Sequence, residues 1–168
     1  MTIDIYAADE QHELAIDLEA WVELARGALV DEGVHGPAEV SLLFADETTI
    51  AALNQQFMGK TGPTDVLSFP IDYEDEPSGR NPDAGTSGPG EPPLSEIPQL
   101  IGDIVICPSV AARNAIEHEC SFEDEVALLV VHGVLHLRGW DHVVDEEAER
   151  MEAREQELLG RHYRSNAS

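Results

Sequence analysis

Three of the seven histidines fall within one short stretch, His132-Gly-Val-Leu-His136-Leu-Arg-Gly139-Trp-Asp-His142. Four residues of α-helix turn the backbone through about 400°, so His132 and His136 stand about 40° apart, one turn from each other, and can face a single ion. Gly139 suits the positive φ that ends a helix. The chain then turns back, and His142 supplies a third ligand. Three neutral imidazoles leave the fourth tetrahedral position open, as catalytic rather than structural zinc sites do. One zinc ion per chain is therefore the expected cofactor. His12, His35, His118 and His162 lack this spacing, and of these His118, just ahead of the metal helix, is the one to watch.

The elements that must hold these residues are legible from periodicity. Ile3–Tyr6, Ala38–Phe44, Asp65–Phe69 and Gly102–Cys107 read as four short strands. Between them, helices are expected from Glu13 to Glu32 with Gly33 at the C-terminal end, after the capping residue Asp46 through Phe57, and from Pro108 to Glu119. Ser121 caps the next helix, with Asp124 completing a capping-box pattern. That helix carries Val126, Leu128, Leu129, Val130, Val131 and Leu135 around most of its circumference, so it belongs in the centre of the fold. Burying two imidazoles in such a helix without a partner is costly, which favours a metal over a purely structural trio. A charged amphipathic helix runs from about Glu146 to Arg161. The fold class is α/β of the α+β type: a small mixed four-stranded sheet packed with about five helices around a buried metal-binding helix.

One domain fits the 168 residues. Residues 74–98 hold six of the ten prolines and four glycines and read as a long mobile loop within that domain. There is no run of the ~20 apolar residues needed to span a bilayer, and the first residues lack the pattern of a secretory signal. A cytoplasmic protein with no membrane partner is expected. Cys107 and Cys120 read as reduced, small apolar residues. Asp and Glu number 34 against 9 Lys plus Arg, a formal charge of −25. Such a surface repels polyanions and argues against nonspecific nucleic-acid binding, DNA included. A divalent cation in a cleft can reverse that field locally.

The spacing of the ligands is that of a metzincin peptidase, but those enzymes carry a glutamate base after the first histidine and this chain has Gly133. A zinc metallopeptidase is thus an alternative without its base. The segment His132–His142 resembles the signature of the YbeY family, approximately H-G-x-L-H-L-x-G-[YW]-D-H. Pro63-Thr-Asp-Val-Leu-Ser-Phe-Pro70 is similar to the family's second signature, Gly102-Asp-Ile104 to its third, and Asn54 fits the helix before the second. The resemblance covers about Ile3 to Leu159. It implies zinc on His132, His136 and His142, cleavage of single-stranded RNA, and work on the small ribosomal subunit: 3′-end maturation of its RNA and quality control of defective ribosomes, in company with small-subunit proteins. A non-catalytic assembly factor with a structural zinc is a further alternative. Lys60 and Arg138 are candidate phosphate contacts, and Asp141 a candidate for orienting a ligand imidazole. Asp65, Ser68 and Asp103 are candidate cleft residues. Many relatives carry an arginine before the glycine that precedes the second signature; here Met58 precedes Gly59, and Lys60 is the nearest cation.

Overall fold

The computed structural model describes residues 2–71, 97–140 and 144–164. Nearly all of the proline-rich stretch 74–98, together with Asp141 and His142, lies outside the described residues.

Four strands, β1 (Ile3–Asp9), β2 (Ala38–Phe44), β3 (Val66–Pro70) and β4 (Gln99–Ile106), form one sheet in the order β1-β2-β4-β3. The first three neighbours in that order run parallel, and β3 pairs antiparallel with β4. Pro70 is tolerated because β3 is an edge strand, where a missing N–H breaks no ladder. β4 starts three residues earlier than periodicity alone suggests. Its register against β2 slips between Glu39 and Val40, so that Leu100 and Gly102, not consecutive residues, are the partners. Gly102 sits there at φ +149, and a Cβ would lie 2.5 Å from the Phe69 carbonyl oxygen. The close approach of β3 and the helix beneath it requires glycine.

Five helices complete the fold: α1 (Leu18–Asp31), α2 (Glu47–Met58), α3 (Pro108–Glu117), α4 (Phe122–Leu137) and α5 (Asp145–Leu159). A π-helical turn over Gly160–Arg164 follows α5, where a continuing α-helix was expected. α1 begins five residues later than expected because Asp17 caps it, accepting from the Ala20 N–H. The residues before it are instead held by Gln11, a buried amide that accepts from the Leu14 N–H and donates to the Leu14 carbonyl. Asp46 and Ser121 cap α2 and α4 as expected, with side-chain oxygens 2.8 and 3.0 Å from the N–H groups of Thr49 and Asp124. The Asp124 carboxylate accepts the Tyr163 hydroxyl at 2.9 Å, so the expected capping box becomes a tie to the C-terminal turn.

α4 packs between the sheet and the helices α1, α3 and α5. From Glu125 to Leu137 every residue is buried except Leu128, His132 and His136. Those three share the i, i+4, i+8 stripe, so the single open face of the central helix is the one that carries the histidines. α2 lies on the opposite face of the sheet over a second, smaller core of Ala45, Ile50, Leu67, Val105 and Cys107. Both cysteines are free, and burial pushes the Cys107 thiol up from its ordinary range.

α2 and α3 are joined by a forked ion pair. Arg113 donates to both Glu47 oxygens, at 2.9 and 3.0 Å, and Ser109 donates to the same carboxylate. Hydrogen bonds from Arg113 and then Ser109 pull the Glu47 carboxyl from 4.5 down to about 2. Since its folded value is the lower one, this group stabilises the fold above pH 4.5 and loses that contribution as pH falls from there to about 2. In acid-unfolding titrations Glu47→Gln is expected to be less stable at neutral pH and to show a shallower acid limb than the wild type over that window. Coincident curves across the whole range would show that the pair contributes nothing.

Candidate metal centre

The cleft on the open face of α4 has a volume of about 530 Å³ and is lined by Asn54, Met58, Lys60, Thr64–Pro70 in part, His132 and His136. The two rings meet edge to face with centroids 4.5 Å apart, and their Nε2 atoms are 2.9 Å apart. Two nitrogens at zinc-ligand distance with a tetrahedral angle between them lie about 3.3 Å apart, so the pair is set close to the spacing a shared ion needs. The Nδ1 of His132 faces Glu155 Oε2 at 2.6 Å, on a side chain that is 7% exposed. A carboxylate at Nδ1 leaves Nε2 as the ring nitrogen on the cleft side, the usual way a ligand imidazole is oriented from behind.

Glu155 was not among the residues picked out by motif. A signal for it exists: Met151, Glu155, Leu158 and Leu159 are the buried residues of α5, and a glutamate within an apolar stripe must find a partner. Among the described residues no third ligand gathers around His132 and His136. His142 and Asp141, expected to close and to orient the set, lie outside the described residues.

The wall facing the histidines comes from the α2–β3 connection and β3 itself. Gly59 ends α2 in the left-handed conformation, and Asn54, buried in the helix, donates to the Gly62 carbonyl at 2.9 Å and so fixes the loop that carries Lys60. Ser68 donates to the Gly133 carbonyl at 3.3 Å and ties β3 to α4. Asp65 lines the cleft, but its oxygens accept from the Val66 N–H and the Asn114 amide, which makes it a brace for the strand end. Asp103 does not reach the cleft. Its side of β4 faces a separate apolar groove of about 380 Å³ with Leu43, Leu53, Phe57 and Phe69. Alternation along the strand puts neighbouring side chains on opposite faces, and Asp103 has the α2 side. Arg138 is also displaced. It is the residue after α4, one past the last helical turn, and lines a neighbouring hollow with Gly139, Trp140, Glu147 and Arg150. His118 lies elsewhere, its Nδ1 2.8 Å from the buried Glu125, which raises its pKa.

Lys60 has a distinction that its position alone does not give. Arg26, Arg113, Arg150, Arg154 and Arg161 each pair with a carboxylate. Among the described basic side chains only Lys60 and Arg138 do not, in a chain with 34 acidic residues.

Fold and cleft together define an α+β protein whose central helix presents a His-x-x-x-His pair to solvent. The chain belongs to the YbeY family: the family model described as Endoribonuclease YbeY matches residues 5–163. A protein named Endoribonuclease YbeY from Salinispora tropica is 44% identical over 146 residues, covering 86% of this chain and 87% of its own. One of the same name from Thermobifida fusca is 42% identical over 159 residues, covering 95% and 92%. The solution structure of TM1509 from Thermotoga maritima superposes with a TM-score of 0.54 at 30% identity, covering 99% of this chain and 94% of that one. Among the described residues no helix is long and apolar enough to cross a membrane.

Proposed function

We propose that the chain is a cytoplasmic zinc-dependent endoribonuclease that cuts single-stranded RNA, acting in maturation of the small-subunit ribosomal RNA 3′ end and in ribosome quality control together with small-subunit proteins. The observation that carries this reading is the pair of imidazoles in an open cleft, with one ring backed by Glu155 and the two Nε2 atoms 2.9 Å apart. The donor set suits zinc: neutral imidazole nitrogens in a polar cleft with a carboxylate behind. His132 and His136 would hold the ion, with His142 as third ligand. Bound there, zinc supplies a Lewis acid for the phosphodiester and lowers the pKa of water toward neutrality.

The chain's own residues then do the following. Lys60, with no carboxylate of its own among the described residues, neutralises a phosphate of the entering strand. Asn54 keeps the Lys60 loop in place through Gly62. Glu155 prevents the His132 ring from flipping. The −25 charge elsewhere confines the polyanion to this cleft, where the local field is cationic once the metal is bound. Arg138, in the adjoining hollow, offers a second phosphate contact further along the strand.

Purified protein given single-stranded RNA is expected to cleave it, to stop on addition of a chelator, and to recover with zinc. Casein offered to the same preparation is expected to stay intact. RNA cleavage indifferent to chelator, or hydrolysis of casein alone, would overturn the reading.

A further inference from the structure

One wall of the histidine cleft carries an apolar side chain that metal binding does not use. Met58, the last residue of α2, borders the cleft together with Lys60, His132 and His136. It is 43% exposed. Leu67 in the same wall is buried and Val66 half-buried, so the open apolar surface there belongs chiefly to Met58 and Pro70. The position is well held. Asn54 and Met58 stand one turn apart on one face of α2. Leu53 and Phe57, each one residue earlier, line the separate apolar groove. There the Phe57 and Phe69 rings meet with centroids 5.2 Å apart and pin the end of α2 to β3. Past Met58, the Gly59 N–H closes on the Gln55 carbonyl at 3.2 Å and the Lys60 N–H on that of Asn54 at 3.3 Å, with Gly59 at φ +66. The Asn54 amide in turn holds the Gly62 carbonyl. An apolar side chain and an ammonium, two residues apart on a hydrogen-bonded turn, therefore border one cleft.

We propose that Met58 is a nucleobase seat: the base of the nucleotide whose phosphate Lys60 neutralises lays its face on the Met58 thioether. The inference rests on the proposed RNA substrate and deepens it. An ammonium beside two imidazoles calls for an anion, and a polyanion that also carries flat apolar faces is a nucleic acid. A strand alternates phosphates with bases, so a seat for one nucleotide needs a cation and an apolar surface side by side. Sulfur is polarizable, and a thioether packs well against an aromatic face without reading its hydrogen-bonding edge. Every base has such a face, so the seat tolerates any sequence and holds the larger purines better than pyrimidines. Only an unstacked base can offer its face, and a base within a duplex cannot. Met58 thus gives the cleft a reason to select single strands that the metal ligands alone do not supply.

The test is a double-mutant cycle between the whole chain and its substrate. Single-stranded oligoribonucleotides with one abasic nucleotide, placed at each position in turn around the cleavage point, are compared with the intact strand by kcat/KM. At one position the missing base is expected to cost the wild type about 2–10-fold, the strength of a sulfur–aromatic contact. Met58→Ala is expected to lose about as much on the intact strand, chiefly in KM, and to lose nothing further on that abasic strand. Met58→Leu, which keeps the apolar area, is expected to recover part of the loss, and Met58→Gln decides the matter if the alanine variant does not fold. A second readout is oxidation of the Met58 sulfur by peroxide, followed by mass spectrometry. A saturating intact strand is expected to slow it severalfold and the abasic strand much less, with the buried Met151 as internal reference. A Met58→Ala variant equal to the wild type on the intact strand overturns the inference. So does a penalty that stays the same at every abasic position, which would mean that Met58 acts through the fold. A wild-type chain that cleaves no RNA would instead overturn the proposed function, a result told apart by the wild type alone.

Discussion

His136→Ala is expected to lose zinc and RNA cleavage together. The ring of His136 lies on the open stripe of α4, half-buried, with its Nε2 2.9 Å from that of His132. Alanine is the better helix former, so α4 should not suffer from the exchange itself. What goes is one of the two described donors. The remaining imidazole, however well backed by Glu155, has no neighbour one turn away to share an ion with. Lewis-acid assistance is worth several kcal/mol in such reactions, and at 1.36 kcal/mol per tenfold the cleavage rate is expected to fall about a thousandfold or more. Metal analysis of the purified variant gives the independent reading. One equivalent of zinc retained, with the fold intact by circular dichroism, would show that His136 is not a ligand, whatever the activity does.

Much of this arrangement was legible from local pattern because local physics sets it. The apolar circumference of α4 announces a buried helix, and its two polar interruptions, at His132 and His136, fall one turn apart. Caps at Asp46 and Ser121 are short-range hydrogen bonds and declare themselves in the residues beside them. The errors have a different origin. Glu13–Asp17 carries helical spacing, yet Gln11 and Asp17 satisfy backbone groups in competition with the helix, and the side-chain bonds prevail. Arg138 stands two residues from a histidine in sequence but lies past the helix end, so proximity in the chain does not bring it into the cleft. Glu155 and Glu32 are separated from their partners, His132 and Trp140, by 23 and 108 residues. No spacing rule spans such gaps; only the burial of a charged residue within an apolar stripe marks it as needing a partner. The family signatures supplied the RNA reading, which composition alone, at −25, pointed away from.

Gly133 separates the nuclease reading from the peptidase one, and the structure gives a reason for the glycine. A Cβ built there lies 2.8 Å from Ile104 Cγ2 and 3.3 Å from its Cδ1, and Ile104 is fully buried in β4. Position 133 therefore faces Ile104 of the sheet at a close approach of α4 to β4. Gly133→Glu, which would write the peptidase motif into this helix, is expected to drive a carboxylate into that contact. Overpacking costs about 1–3 kcal/mol, and a buried charge without a partner adds several more, against a typical total stability of about 5–15 kcal/mol. The variant is expected to melt far below the wild type or not to fold, and to acquire no activity on casein. Gly133→Ala isolates the steric part and is expected to lose about 1–3 kcal/mol in denaturant titrations. A Gly133→Glu protein with wild-type stability would mean that α4 stands further from β4 than these distances require. Casein hydrolysis by it would mean that the glutamate reaches the histidine cleft, and the separation between the two chemistries would then rest on one residue type, not on the packing of the helix against the sheet.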